Sequence, residues 1–164
     1  HTGKTHFALD LVRRHPMLSL SIDHLKMGLI RSGQTDFTPA QDETLTAYLW
    51  PVVREMVKTA VENGQDLLVE GCYIPFDWKD SFSDGYLLYI QYCCLIFSET
   101  YIKTHMVDIR RFANAAERRQ DDRVSQEELL AENAAALAQC RRHGCRYLLI
   151  DKTYPAVLSL ADFG

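Results

Sequence analysis

Several groups of residues have types and spacings that could do chemistry. The first is Gly3-Lys4-Thr5, followed by the amphipathic run Phe7 to Val12. It reads as the second half of a phosphate-binding loop, G-x-x-x-x-G-K-[ST], leading into a helix. In such a loop the backbone amides at a helix N-terminus, here those of Thr2, Gly3, Lys4, Thr5 and His6, cradle phosphate oxygens. The lysine reaches the terminal phosphates and the threonine hydroxyl binds Mg²⁺. The first glycine of the motif would fall before His1, so the chain is expected to start inside it, with its first strand missing.

Acids come next. Asp23 follows a short alternating run and is trailed by Lys26 and Arg31. A carboxylate at a strand end can orient or deprotonate an acceptor hydroxyl, and the two basic residues suit an anionic acceptor. The same aspartate could simply start the next helix. Glu70 closes the apolar run Leu67 to Val69 and is followed by Gly71. An acid there can hold Mg²⁺, and a glycine lets the backbone approach a ligand closely. Tyr73, just beyond, is a candidate for an acceptor-site wall. Arg110, Arg111, Arg118, Arg119 and Arg123 crowd one segment with interleaved acids. Most of that segment reads as a solvated helix face, with one or two arginines available to a transferring phosphoryl group.

The elements that must position these residues follow from periodicity and punctuation. Residues 7–14 read as a helix ended by Pro16, and residues 17–22 as a strand delivering Asp23. Leu45, Leu49, Val52, Val53, Met56, Val57, Ala60 and Val61 follow helical period from Asp42 to the Asn63-Gly64 cap, with Pro51 tolerated or kinking. Leu67–Val69 reads as a buried strand, residues 87–97 as another, and Tyr147–Ile150 as the last. A helix is expected from Ser98 to Ile109. Ser125 and Glu128 have the spacing of a capping box opening a helix that closes near Gly144. A final short helix is expected over residues 156–160. Alternating helices and strands argue for one α/β domain over residues 1–164, with a parallel sheet covered on both faces. Ligands of such sheets bind at the carboxyl ends of the strands, where Asp23, Glu70, Glu99 and Asp151-Lys152 fall.

Composition narrows the function classes. With 47% hydrophobic and 24% charged residues the chain belongs with globular domains, and its net charge of −4 offers no general surface for nucleic acid. No apolar run approaches a membrane span, and no leader is visible. Five cysteines, with Cys72, Cys93 and Cys94 in apolar settings, read as reduced buried thiols of a cytoplasmic protein. Cys140-x-x-His143-x-Cys145 lacks a second ligand pair at zinc-site spacing and reads as a helix end and a strand start.

These residues together resemble the P-loop kinases of the nucleoside-monophosphate-kinase-like group, over nearly the whole chain. Gly3-Lys4-Thr5 looks like their phosphate loop, and Asp23-Leu25-Lys26 like their acceptor segment D-x-x-R. Leu68-Val69-Glu70-Gly71 with Ile74-Pro75 is similar to their D-G-x-P-R, and Arg119-Gln120-Asp121-Asp122 to their lid segment R-x-D-D. The resemblance implies a three-layer fold with a five-stranded parallel sheet in order 2-3-1-4-5. It also implies MgATP as donor, a helical lid at about residues 108–126, and a loop after the last strand, with Lys152, passing under the adenine. Phe76-Asp77-Trp78 stands where the family has an arginine, and Glu132-Asn133 where it has a second lid arginine. Those departures turn the resemblance from nucleotide acceptors toward the zeta-toxin-like and 2-phosphoglycerate kinase-like small-molecule kinases. The expectation is an ATP-dependent phosphotransferase acting on a hydroxyl, or phosphate, of a small metabolite. In it Lys4, Asp23 and Arg119 are catalytic, Thr5 and Glu70 hold Mg²⁺, and Asp23, Lys26, Arg31, Glu70 and Tyr73 meet the acceptor. The alternatives are a nucleotide-binding regulatory module without transferase activity, an adenylate-type kinase, and a nucleic-acid-processing NTPase.

Overall fold

In the computed structural model of the chain, which describes residues 2–38, 41–113, 125–155, 157 and 159, the strands are short and pair in twos. Strand β1 is Leu18–Ser21, β2 Leu67–Glu70, β3 Cys94–Phe97 and β4 Tyr147–Ile150. β1 runs parallel to β2, with Leu18 opposite Leu67 and Ser21 opposite Glu70. β3 runs parallel to β4, with Cys94 opposite Tyr147 and Phe97 opposite Ile150. The chain divides into two compact units, one of His1–Phe7 with Gln91–Gly164 and the other of Ala8–Ile90.

In the unit of Ala8–Ile90, β1 passes directly into helix α2, Ile22–Arg31. Helix α3, Asp42–Glu62, then crosses back to β2. Leu45, Leu49 and Val53 lie one helical turn apart and are at most 1% exposed. They pack with Ile22 and Tyr73, against Leu20, Leu25 and Val69. Pro51 sits on the exposed side of α3, where a missing hydrogen bond is least costly. After β2 come a 3₁₀ turn at Trp78–Ser81 and a single helical turn, α4, at Asp84–Leu87.

In the other unit, β3 leads to helix α5, Glu99–Ala113, and helix α6, Gln126–His143, returns to β4. The core gathers Phe97, Ile102, Met106, Ile109, Leu129 and Ile150. α6 starts with the capping box expected from sequence: Glu128 N donates to Ser125 Oγ, and Ser125 N to Glu128 Oε2. It ends on Gly144 at φ +60. α5 carries one non-helical residue, His105 at φ −120, whose ring stacks on Tyr101.

The five-stranded three-layer sheet expected from the family resemblance is overturned: the described residues form two two-stranded sheets. Periodicity identifies strands but not which of them pair, and the strand order had come from resemblance alone. One edge shows a physical stop. The amides of Cys94 and Ser98 donate to the β4 side, to Arg146 O and Ile150 O. By the two-residue period of a strand, the amide of Phe97 points the other way. There it donates to Asn133 Oδ1 of α6 at 2.8 Å, so a side chain, not a strand, satisfies that edge.

Other differences are local. Only Cys94–Phe97 of the apolar stretch 87–97 is strand, while Leu88 is 82% and Tyr89 72% exposed. Cys72 is exposed and Cys93 and Cys94 are half-buried; the buried thiols are Cys140 and Cys145. Helix α1 starts at Lys4, earlier than Phe7. Most of the expected lid lies outside the described residues, as do positions 156, 158 and 160 of the expected final helix, while 157 and 159 are not helical.

Candidate functional site

Gly3 accepts the first hydrogen bond of α1, from Phe7 N at 3.1 Å, and holds φ +81. That left-handed conformation is cheap only for glycine. Lys4 and Thr5 are half-buried in the first turn of α1, which carries no acid, and His6 is exposed. The N-terminal amides of α1 are thus accompanied by a cation and a hydroxyl, a set suited to anions. Tyr154, in the loop after β4, packs onto the same turn. Its ring stacks on Phe7 at 5.2 Å between centroids, and its hydroxyl donates to Thr2 O at 3.0 Å. A Cβ on Gly3 would collide with that hydroxyl. Burial pushes the Tyr154 hydroxyl up to about 12. Thr2 is itself buried.

In the unit of Ala8–Ile90, the carboxyl ends of β1 and β2 bring a second group together. Asp23 lies in the first turn of α2, and Lys26 one turn on. Lys26 Nζ is 2.9 Å from Asp23 Oδ1 and donates to Tyr73 Oη at 2.7 Å. Burial alone would push the Lys26 ammonium down; the bonds to Tyr73 and Asp23 outweigh it and hold the group above its ordinary value. Lys26 is 9% and Tyr73 4% exposed. Glu70, also buried, ends β2 opposite Ser21. Gly71 then takes φ +152 and passes so close to Ile22 that a Cβ would lie 2.9 Å from the Ile22 Cβ. The glycine therefore lets the end of β2 run beside the start of α2, next to Asp23.

The residues expected at the site divide as follows. Thr2 and Gly3 meet Tyr154, while Asp23, Lys26 and Tyr73 form one cluster with Glu70 and Gly71 at the neighbouring strand end. Arg31 is exposed at the C-terminal end of α2, outside that cluster, and Lys152 is exposed just beyond β4. Arg119 lies outside the described residues. The residues that open α1, up to Phe7, belong to one unit, and Asp23, Lys26, Glu70 and Tyr73 to the other. Sequence reasoning missed Tyr154 as a support of the turn that opens α1. The only hint was an aromatic residue in the loop after the last strand.

Among the described residues no group of three or more His, Cys, Asp or Glu side chains could hold a metal ion. Mg²⁺ in nucleotide sites needs no such cage, since one or two protein oxygens and the phosphates suffice. Thr5 in one unit and Glu70 in the other each have an oxygen of the right type for that. No helix among the described residues is long and apolar enough to cross a membrane. Compared with protein-family models, curated proteins and solved structures, the chain matches none.

Proposed function

We propose that this chain acts as an ATP-dependent phosphotransferase, moving the γ-phosphoryl group of MgATP to a hydroxyl of a small metabolite. The observation that carries the reading is Gly3-Lys4-Thr5 at the N-terminus of α1, with Gly3 left-handed and no acid in the first turn. In this reading Lys4 and the amides of residues 2–6 hold the phosphates, and Thr5 and Glu70 are each of a type that would bind Mg²⁺. The metal would neutralise charge on the phosphates as they transfer. Asp23 orients the acceptor hydroxyl and takes its proton, Lys26 and Tyr73 fix Asp23, and Arg119 stabilises the transferring group. Arg31 and Lys152 take outer roles, at the acceptor and nucleotide respectively. The free thiols fit a reducing, cytoplasmic setting.

The test is ADP formation with a panel of hydroxylated metabolites, in parallel with Lys4→Ala and Asp23→Asn. Transfer is expected in the parent, reduced at least about a hundredfold in each variant. Equal rates in all three would sink the proposal. Nucleotide binding without acceptor-dependent turnover would favour a regulatory module instead.

A further inference from the structure

The cluster at Asp23 has a polarity that goes further than the reaction class. Lys26 would be the natural anchor for an anionic acceptor, yet its charge is already met. Its ammonium has three donors; one faces Asp23 Oδ1 and one goes to the Tyr73 hydroxyl. The Asp23 side chain is 18% and that of Lys26 11% exposed, so a narrow edge of the pair reaches solvent. Glu70 adds a further carboxylate at the neighbouring strand end. An anion brought to Lys26 would have to displace Asp23 or sit beside it, and like charges at such range repel.

A hydroxyl group faces no such conflict. It both donates and accepts, and the ion pair offers an acceptor, the second Asp23 oxygen, beside a donor, the third Lys26 N–H. Charge-assisted bonds of both kinds are the strong ones. We infer that the Asp23–Lys26 pair selects an uncharged hydroxyl-bearing acceptor, of polyol or sugar type, and excludes acceptors with a phosphate or carboxylate next to the reacting hydroxyl. The inference rests on the phosphotransferase reading for the identity of the acceptor, but the masking of Lys26 can be tested without it.

The first arm uses inorganic phosphate as the probe and Lys4→Ala as background, which removes the loop lysine as a competing anion site. Phosphate is titrated while the Tyr73 ring and Lys26 side-chain resonances are followed by NMR. In Lys4→Ala alone those signals should not respond. In Lys4→Ala/Asp23→Asn the unmasked ammonium should bind phosphate at least about tenfold more tightly, the scale of one charged hydrogen bond. Adding Lys26→Met should abolish the gain, which also shows that the response comes from Lys26 and not from a disturbed fold. Equal phosphate affinity with and without Asp23, or a gain that survives Lys26→Met, overturns the inference. The second arm measures ADP formation by the parent chain with matched pairs, each a neutral polyol and its phosphate ester or carboxylate. The neutral member should have the higher kcat/KM by about tenfold or more. Preference for the anionic member overturns the inference. Absence of transfer to every acceptor counts against the phosphotransferase reading, and the phosphate arm then decides the masking alone.

Discussion

The hydroxyl of Tyr154 donates to the carbonyl of Thr2 across 3.0 Å, tying the loop after β4 to the turn that opens α1. Because that hydroxyl fills the space where a Gly3 side chain would begin, the two positions are coupled. Gly3→Ala meets both a collision and an unfavourable φ of +81, a conformational cost of about 1–2 kcal/mol before the clash is counted. Tyr154→Phe loses only the hydrogen bond, about 1 kcal/mol. In the double variant the hydroxyl collision is removed and only the ring carbon at 3.0 Å stays close, so the combined loss should be smaller than the sum of the single losses. Thermal unfolding of the four proteins checks this; strict additivity would show that Tyr154 does not press on Gly3.

Alkaline pH should weaken the fold, and the sign follows from the direction of the shifts. Tyr154 is raised from 10.0 to about 12 in the folded chain. Its contribution is therefore complete below pH 10 and is lost as pH rises toward about 12. Lys26, also raised from its ordinary 10.5, acts in the same direction, with its share present below that value and lost as pH passes through the folded one. Denaturant midpoints measured from pH 9 to 12 should fall. The gap between the parent and Tyr154→Phe should narrow over the same range, because the parent alone has that hydroxyl to ionise.

Asn133 offers a test in the other unit. Its Oδ1 accepts from Phe97 N and its Nδ2 donates to Leu129 O, both at 2.8 Å, with the side chain buried. Asn133→Leu keeps the volume but leaves the Phe97 amide without its acceptor, a cost of about 1–3 kcal/mol. Urea unfolding should show that loss. Faster hydrogen exchange at Phe97 than at Ser98, whose amide is held by β4, would locate it.

The start of α6 should be weakened by Ser125→Ala, which removes the acceptor for Glu128 N, at about 1 kcal/mol. Glu128→Gln keeps the reciprocal bond to Ser125 N and should cost less. Circular dichroism melts of the two variants give the comparison.

These positions also show what the sequence could and could not disclose. The Ser125 box and the Leu45–Leu49–Val53 face of α3 were readable because each depends on residues within a turn or two of one another. Asp23 and Lys26 are three apart on one helix, so their pairing was within reach of spacing arguments, whereas the arrival of Tyr73 was not. Tyr154 and Thr2 meet across nearly the whole length of the chain, and nothing local marks such a contact. Asn133 was conspicuous only as a missing arginine. Its actual task, closing a strand edge from a helix, depends on which way an amide of β3 points, and that requires knowing β3's partner. The stretch 87–97 misled because its apolar, β-rich composition favours a strand, while Asp84–Leu87 takes a helical turn first.

Parallel pairing leaves a mark on how this chain must reach its folded state. β1 and β2 are separated by α2 and α3, and β3 and β4 by α5 and α6, so neither ladder can begin from a tight hairpin. In each case roughly fifty residues have to be gathered before the first interstrand bond forms, and closure entropy opposes that step until the helices are in place. Refolding should therefore be slower than the microseconds open to helical bundles with mostly local contacts. During that interval the strand edges of both pairs lie open to other chains, so yield on refolding should fall as protein concentration rises.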